Sequence, residues 1–474
     1  MIRRGISRIY IIGGIILIAI IIGYIVLTNL PGETQPEGGG EEGKEGIVLT
    51  IITRHPSTIW TLTKTNFLKT DIAKKYNIVD LRFLGPNPVL WLDTIKKKGD
   101  IDIAWGGGPT LFDILLGEDL LAPITDEETL AVIDELPDEV GGSPLKRVVD
   151  GKIYWVAAAI SSFGFIVNSH IIEQLGLTPP ETWEDLGSVE FASYLPKPLV
   201  AYARPTTSTS HTRIYQIILQ KFGWDMGWVV ITRMAANGRP YDGSVEALSA
   251  VEAGEVAVSI GIDFYGYTAQ IEYPGLYYVL PFNESIINGD PIAVLKTSKH
   301  KEAAEAFIRW VISVDGQKIW LDRRVNRMPV RADVFKTPEG RERMDLYKNY
   351  NDTLNNIGIP FNDTLALMTE FAMRYYFDAV LADVHSDLVN AWMAIVNAYK
   401  SGKISEDEFQ MWVYELGKPL TWVENGEEKT FTLEFAMSIN EKLKTDVEAV
   451  SYYSRIWRDA ARERYQSIVE ALQG

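Results

Sequence analysis

The sequence contains no cysteine and only five histidines among its 474 residues. The absence of cysteine excludes a disulfide framework, a thiolate-bound zinc or iron–sulfur centre, a thiol nucleophile and a lipid attached through an N-terminal cysteine. Basic residues are also in deficit, since 46 Lys and Arg stand against 63 Asp and Glu and give a formal charge of −17. A chain this acidic does not fit a nucleic-acid-binding protein that works through general phosphate contacts.

Sequence motifs of common hydrolases are missing as well. There is no G-x-S-x-G and no H-E-x-x-H, and the histidines at 55, 170, 211, 300 and 385 are scattered. The sequence therefore predicts no catalytic residue, no metal ligand set and no cofactor. A tethered extracellular hydrolase remains the competing class, because Ser, His and Asp are all present.

One long apolar run stands near the N-terminus. Residues 9–30 are 22 uncharged, mostly aliphatic residues, enough for a helix across a hydrocarbon core of roughly 30 Å. Arg3, Arg4 and Arg8 precede the run, so the positive-inside rule keeps the N-terminus cytoplasmic and places the rest outside the cell. A cleaved signal peptide is the alternative, but the run is long and no A-x-A-like site follows it. We predict a cytoplasmic stub and transmembrane anchor over 1–30 and a single-pass protein of the cell membrane.

Residues 31–46 (PGETQPEGGGEEGKEG) carry Gly, Glu and Pro with almost no apolar side chain. Such a composition is typical of a flexible, solvated tether. The tether would hold whatever follows close to the outer face of the membrane.

After the tether, short apolar runs alternate with segments of helical periodicity. This alternation indicates an α/β layer with a mainly parallel sheet. The predicted strands are 47–53, 101–105, 154–167, 256–262 and 292–295, and the predicted helices are 59–76, 109–116, 212–222, 245–251 and 299–314. From about residue 341 to the end the periodicity is helical with almost no strand signal.

Three turns rich in glycine or hydroxyl side chains stand where a predicted helix begins. They are 54–58 (RHPST), 106–110 (GGGPT) and 206–211 (TTSTSH). In open α/β sheets ligands sit beyond the carboxyl ends of strands, where such turns enter helices. Ordinary capping explains any one of these turns, but three at equivalent places favour a ligand site.

Over about 47–334, the part of the chain that contains these turns, the sequence resembles the substrate-binding proteins of ABC importers. The resemblance is to the broad family of ferric-ion, thiamine and aminoethylphosphonate binders. The resemblance depends on the order of several short motifs rather than on any one of them. The motifs are DIDIAW at 100–105, LLAP at 120–123, FIVN at 165–168, PETWEDL at 180–186, AGEVA at 253–257, AEAFIRW at 304–310, DGQ at 315–317 and RMPVR at 327–331.

The resemblance implies a two-lobed, type II periplasmic-binding-protein fold, here with an N-terminal transmembrane helix and a helical C-terminal extension. The implied domains are lobe 1 over 47–158 and 290–340, lobe 2 over 159–289, and a helical region over 341–474 packed on the lobes. The chain would cross between lobes near 157–162 and 280–292. The implied function is capture of a small solute between the lobes, closure, and delivery to a membrane permease driven by a cytoplasmic ATPase.

For the solute, we favour an oxyanion or an anionic organic ligand, which suits helix N-termini and hydroxyl groups. His55 and Asp263 could pair with an amine or hydroxyl, and Trp105 and Tyr265 could stack on a ring. The full set of predicted ligand-binding residues is His55, Ser57, Trp105, Gly107, Gly108, Thr110, Ser161, Ser162, Thr207, Ser208, Ser210, Asp263 and Tyr265.

Other solutes and roles remain open. In the ferric-binding relatives two tyrosines, a histidine and often a glutamate hold the metal; here Phe264 stands at the first tyrosine position, Tyr265 at the second, His55 falls at the histidine, and glycines 106–108 replace the glutamate segment. A saccharide is a further alternative, and so is a receptor that uses the same fold to sense a solute rather than to transport it.

Overall fold

The computed structural model describes residues 46–140, 143–356 and 358–473. The predicted anchor at 9–30, and the tether up to residue 45, lie outside the described residues. Within the described ranges no single helix is both long and apolar enough to cross a bilayer, although one pair bent by 66°, Asp363–Ala382 with His385–Lys400, meets the criteria by length and composition.

Fifteen strands occur in the described residues. They are β1 (Ile47–Thr53), β2 (Ile78–Leu84), β3 (Ile103–Trp105), β4 (Glu139–Val140), β5 (Ser143–Pro144), β6 (Lys146–Val149), β7 (Lys152–Asn168), β8 (Val200–Ala203), β9 (Gly238–Tyr241), β10 (Val258–Ile262), β11 (Leu276–Val279), β12 (Ile287–Val294), β13 (Met328–Pro329), β14 (Thr421–Glu424) and β15 (Glu427–Thr430).

The α-helices of the same residues are α1 (Ser57–Phe67), α2 (Asp71–Lys75), α3 (Trp91–Lys98), α4 (Pro109–Gly117), α5 (Glu127–Asp134), α6 (Ser169–Leu175), α7 (Val189–Ala192), α8 (Thr209–Phe222), α9 (Trp224–Ala236), α10 (Ser244–Glu252), α11 (Asp263–Glu272), α12 (Lys301–Ile312), α13 (Val314–Gln317), α14 (Pro338–Arg341), α15 (Met344–Asn355), α16 (Asp363–Phe377), α17 (His385–Lys400), α18 (Glu406–Gly417), α19 (Leu433–Thr445) and α20 (Val447–Gln473). Single 3-10 turns lie at Pro88–Leu90, Glu184–Gly187, Lys318–Leu321 and Ala332–Lys336, and a π-helical turn at Asp378–Ala382.

The 17-residue strand β7 belongs to both lobes. Its first half pairs with β12, in a sheet of order β2-β1-β3-β12-β7, and its second half pairs with β10, in the order β7-β10-β8-β9. The outer strands are parallel, whereas β12 and β7 run antiparallel to their neighbours, so the sheet is mixed rather than mainly parallel. A β-carbon at Gly164 of β7 would lie 2.1 Å from the Val279 carbonyl oxygen of β11, so only glycine fits this register.

Separate hydrophobic cores define the two lobes. Residues of β1, β3, β12 and α12 form the lobe 1 core, with Ile51 and Phe307 fully buried. Residues of β8, β10, α8 and α9 form the lobe 2 core, which continues into the C-terminal helices through Trp392 and Trp457. The α/β, two-lobed architecture implied by the sequence is thereby confirmed.

The helical C-terminal region is divided between the lobes. Leu346 and Tyr350 of α15 are buried in the lobe 1 core, whereas the helices from α16 onward pack into the lobe 2 core. The chain therefore passes between the lobes a third time between α15 and α16, where the Ile359 amide donates to the Ser285 carbonyl. The small hairpin β14–β15 is an addition that the helical pattern did not predict.

The predicted helix 59–76 is two helices in the structure. The first ends at Phe67, and Thr70 caps the second, because its side chain accepts a hydrogen bond from the Ala73 amide. A side-chain cap of this kind competes with continued helix and starts a new one. β2 also follows here, as a parallel neighbour of β1 that the sequence pattern did not predict.

Candidate functional site

A cleft of about 1360 Å³, measured out to its open mouth, lies between the two lobes. Lobe 1 contributes the loop after β1 and the start of α4, and lobe 2 contributes the starts of α8, α10 and α11. A third wall comes from the C-terminal region, through α16 and Lys444 of α19. The cleft is thus enclosed by more of the chain than the two lobes alone.

Arg54 lines this cleft directly after β1. Its Nη1 donates to the Pro86 carbonyl oxygen at 3.1 Å, and its Nε is buried with no hydrogen-bond partner. Within 46–140, 143–356 and 358–473 it is the one cation lining the cleft with no carboxylate in ion-pair distance, since Arg213, Arg327, Arg374 and Lys444 all have one. Burial lowers the pKa of Arg54, but arginine keeps its charge in proteins. An anion in the cleft would compensate that charge.

A buried polar network lies at the floor of the cleft, on the lobe 1 side. Arg327 Nη2 is 2.7 Å from Asp290 Oδ2, and Arg327 Nη1 donates to His55 Nδ1 at 3.2 Å. Burial, together with the charge of Arg327, lowers the pKa of His55 to about 3, so the ring is neutral at pH 7. Since Nδ1 accepts, the proton is assigned to Nε2, which is 3.6 Å from Asp290 Oδ2.

The backbone of the glycines at 106–108 packs closely against this network. Gly106, Gly107 and Gly108 all have positive φ, and a β-carbon at Gly106 would lie 2.8 Å from the His55 ring. The amides of Gly107 and Gly108 donate to Asp290 Oδ1 at 3.0 and 3.3 Å. These two N–H groups, predicted to bind the solute, are therefore engaged within the protein.

A cluster of hydroxyl groups lines the cleft on the lobe 2 side. Ser244 Oγ lies 2.7 Å from Ser208 Oγ and 2.9 Å from Ser210 Oγ, at the adjoining N-termini of α10 and α8. Ser208 also lies 3.0 Å from His211 Nδ1, and burial lowers the pKa of His211 to about 3. A hydroxyl both donates and accepts and can rotate, so the cluster can turn its donors toward an anion.

Aromatic rings form the apolar part of the lining. Phe163, Phe264 and Tyr265 come from the lobes, and Phe371 and Tyr375 come from α16. Phe264 and Tyr265 pack with ring centroids 4.4 Å apart, and the Arg327 guanidinium lies 4.6 Å from the Phe264 ring. Rings at these positions can cover the apolar faces of a bound organic molecule.

Eight of the predicted ligand-binding residues line the cleft. They are His55, Gly107, Gly108, Thr110, Ser161, Ser208, Ser210 and Tyr265. The structure thus brings together residues from all three of the predicted turns.

Five predicted residues do not line it. Trp105 is fully buried against His55 and Trp320, and Ser57 is exposed at the start of α1. Thr207 donates to the Arg204 carbonyl in the turn before α8.

Asp263 and Ser162 are bound to each other in the strand crossing. Asp263 Oδ2 accepts from the Ser162 amide at 2.6 Å and from the Ser162 hydroxyl at 3.1 Å. Asp263 is fully buried, and burial raises its pKa to about 7. This pair braces the segment where β7 passes between the lobes, instead of facing a solute.

Sequence reasoning missed the contributions of Arg327, Asp290, Ser244 and α16. Arg327 stands in the quoted motif at 327–331, so its motif was visible but its role was not. Glu370 and Arg374 are four residues apart on α16, a spacing that shows one helix face but gives no sign that the face reaches the cleft. No group of three or more potential metal-ligating side chains occurs in the described residues.

Two lobes joined by adjacent strands around a lined cleft define a solute-binding class of fold. The model of the family described as bacterial extracellular solute-binding protein matches residues 83–318. The match covers 236 of the 474 residues, and the resemblance of the chain to this family, predicted from the ordered motifs, is confirmed.

Individual relatives are more distant. The phosphoglycerate transport regulatory protein PgtC of Salmonella typhimurium is 25% identical over 282 residues, which are 59% of this chain and 66% of PgtC. The match therefore spans just under two thirds of the length of that relative.

Solved structures share the fold at low identity. The periplasmic binding protein AfuA of Actinobacillus pleuropneumoniae, solved with exogenous fructose-6-phosphate bound, is 17% identical with a TM-score of 0.53, over 66% of this chain and 99% of AfuA. The GacH receptor of Streptomyces glaucescens, solved without ligand and with acarbose or an acarbose homolog, is 14% identical with a TM-score of 0.52, over 78% of this chain and 97% of GacH.

Proposed function

We propose that the chain captures a small anionic organic solute, one that carries a phosphate or a similar oxyanion group, in the cleft between its lobes. The observation that carries this proposal is Arg54, a cation in the cleft that no carboxylate neutralises, with one donor nitrogen buried and unpaired. The rotatable hydroxyls of Ser208, Ser210 and Ser244 provide further donors in the same cleft. Charge-assisted hydrogen bonds from arginine suit phosphate geometry well.

The relatives support the same class of solute. The name of PgtC refers to phosphoglycerate transport, and the AfuA structure contains fructose-6-phosphate. Both compounds combine a phosphate group with at least one hydroxyl group on a short carbon skeleton. A solute of this class is consistent with a cleft that is cationic at one place and lined by hydroxyl and aromatic groups elsewhere.

Delivery to an ABC permease driven by a cytoplasmic ATPase is the second part of the proposal, with no catalytic step in this chain. A tether at 31–46 and an anchor at 9–30 would keep the binding lobes outside the cell and close to that permease. Protease added to intact cells should then cleave the lobes from the membrane. Protection of the lobes in intact cells would contradict this orientation. A sensory role for the same binding event is supported by the word "regulatory" in the name of PgtC.

Other solutes have less support. The aromatic rings of the lining favour a neutral saccharide as the second candidate, and acarbose is the ligand in the GacH structure. Ferric-ion capture is less compatible with the site, because His55 already accepts from Arg327, and the Arg327 and Arg54 guanidinium groups place positive charge near Tyr265.

The test compares matched solutes and matched variants by isothermal titration calorimetry. Full-length protein in detergent should bind fructose 6-phosphate at least tenfold more tightly than fructose, since a charge-assisted contact contributes about 1.5 to 3 kcal/mol. Arg54→Met should abolish that preference, and Arg54→Lys should keep part of it. Arg324→Met, which removes an arginine that is mostly exposed and paired with Asp322, is the control and should bind like the wild type. Equal affinity for fructose and fructose 6-phosphate would refute an anion site.

A further inference from the structure

A second cluster of polar groups in the cleft is built by α8 and α16, away from the predicted turns. Arg213 and Gln216 lie on one face of α8, and Glu370 and Arg374 lie on one face of α16. All four side chains line the cleft and are buried, with exposed fractions between 3 and 7%. Half of this cluster therefore comes from the C-terminal region.

Three polar atoms of the cluster have no hydrogen-bond partner. Glu370 Oε1 accepts from Arg374 Nη1 at 3.0 Å, but Glu370 Oε2 is unpaired. Gln216 Nε2 donates to the Ala366 carbonyl at 3.2 Å, but Gln216 Oε1 is unpaired. Arg213 Nη2 donates to Asp363 Oδ1 at 2.8 Å, but Arg213 Nη1 is unpaired. Buried polar atoms are rarely left without a partner, because each one costs stability.

The unpaired atoms are two acceptors and one donor. A hydroxyl group can donate to the carboxylate or amide oxygen and accept from the guanidinium at the same time. A second phosphate would meet the Glu370 carboxylate, and an apolar group would leave all three atoms unsatisfied.

The net charge of the cluster also favours a hydroxyl group over a second anion. Arg213 is balanced by Asp363 and Arg374 by Glu370, so the cluster together with Asp363 is neutral, in contrast to Arg54. Burial raises the pKa of Glu370, an effect that the charges of Arg374 and Arg213 oppose. A neutral hydrogen-bonding group suits such surroundings better than a second ion.

We infer that Glu370, Gln216 and Arg213 form a subsite for the hydroxyl groups of the solute, and that the C-terminal region thereby contributes to ligand specificity. This inference rests on the proposed anion site and narrows the solute to a phosphorylated polyol, sugar or hydroxy acid. The solute bridges from Arg54 at its anionic end to α16 at its hydroxylated end.

The test measures discrimination between glycerol 3-phosphate and n-propyl phosphate, which differ only in two hydroxyl groups. Isothermal titration of the full-length wild type should give a dissociation constant at least tenfold lower for glycerol 3-phosphate, because a site built around a hydroxyl rejects the analogue that lacks it. Glu370→Gln and Gln216→Leu should reduce this ratio to within about twofold of one. In both variants glycerol 3-phosphate should lose more affinity than n-propyl phosphate or inorganic phosphate, and Gln216→Leu is the variant that does so without changing a charge, since Glu370→Gln leaves Arg374 without its carboxylate. Glu434→Gln, an exposed change of the same kind on α19, is the control and should keep the ratio.

The outcomes separate this inference from the proposed function. If the wild type binds both phosphate esters equally, or if Glu370→Gln keeps the ratio, the subsite is refuted while the anion site stands. If the variants lose inorganic phosphate as strongly as glycerol 3-phosphate, the cluster supports the cleft only structurally and the subsite is again refuted. If the wild type binds neither ester nor inorganic phosphate, the proposed anion site and the inference that rests on it both fail.

Discussion

The ion pair between Lys444, which lines the cleft, and Glu118 connects the C-terminal region to lobe 1. Lys444 Nζ lies 2.8 Å from Glu118 Oε1 at the end of α4, and the same carboxylate pairs with Lys96 of lobe 1 at 2.8 Å. Because the helices around Lys444 share the core of lobe 2, the pair can form only while that lobe and lobe 1 are close. We therefore expect the pair to favour the closed, ligand-bound form.

The magnitude follows from exposure and from the remaining partner. The Lys444 side chain is 12% exposed and that of Glu118 is 26% exposed, so solvent screens the pair in part. Lys444→Met would leave Glu118 with Lys96, so the loss is closer to a surface pair than to a buried one. We expect about 1 kcal/mol, which is a roughly fivefold weaker dissociation constant if the pair forms only on closure.

The assay is isothermal titration calorimetry of wild type and Lys444→Met with fructose 6-phosphate. Lys442→Met is the control, because Lys442 is exposed on the same helix. The difference should shrink in high salt, since exposed charges are screened. The two lysines hold the pKa of Glu118 down at about 2, below its ordinary value. The stabilisation that ionised Glu118 contributes is therefore present above about pH 4.5 and is lost as the pH falls toward 2. The difference in affinity between wild type and Lys444→Met should accordingly be constant from pH 5 to 8. Equal affinity of Lys444→Met and Lys442→Met would refute the closure argument.

Three further predictions concern the site and its supports. Asp263→Asn should flatten part of the pH dependence of the free energy of unfolding. Burial raises the pKa of Asp263 to about 7, so the protonated carboxyl stabilises the folded protein fully below its ordinary pKa near 4, and this stabilisation is lost as the pH rises through 7. The free energies of unfolding from urea titrations of wild type and variant should therefore diverge over that range. Gly106→Ala should destabilise the fold by about 1 to 3 kcal/mol, because φ is 78° and the new β-carbon meets the His55 ring, whereas Gly117→Ala, which meets nothing within 4 Å, should be tolerated in thermal unfolding. Ser244→Ala should weaken binding of inorganic phosphate several-fold without lowering the midpoint of thermal unfolding by more than a few degrees, and unchanged phosphate binding would remove the hydroxyl cluster from the site.

Much of the architecture could be predicted from local patterns. The turns at 54–58, 106–110 and 206–211 each follow a strand and open a helix, and parallel neighbours bring such turns to one edge, so the cleft contains residues of all three. The family followed from the order of short motifs, because that order reflects the order of strands and helices around the cleft.

Other parts depend on contacts that a local pattern does not contain. Asp263 directly follows a strand, as a ligand-binding residue would, yet it turns inward because the Ser162 amide, 101 residues earlier, is its donor. The amides of 107 and 108 resemble an anion site, but Asp290, on a strand more than 180 residues later, accepts from both. Likewise the face of α16 that carries Glu370 becomes part of the cleft only because the C-terminal helices pack on lobe 2.

Native mass spectrometry of the full-length protein, purified from cells without added solute, tests the central claim most directly when the released adduct is analysed for phosphorus. We predict an adduct of defined mass that contains phosphorus and is absent from Arg54→Met but present in Arg324→Met. A phosphorus-free sugar or retained iron in place of that adduct, or an equal phosphorus-containing adduct in Arg54→Met, would contradict it.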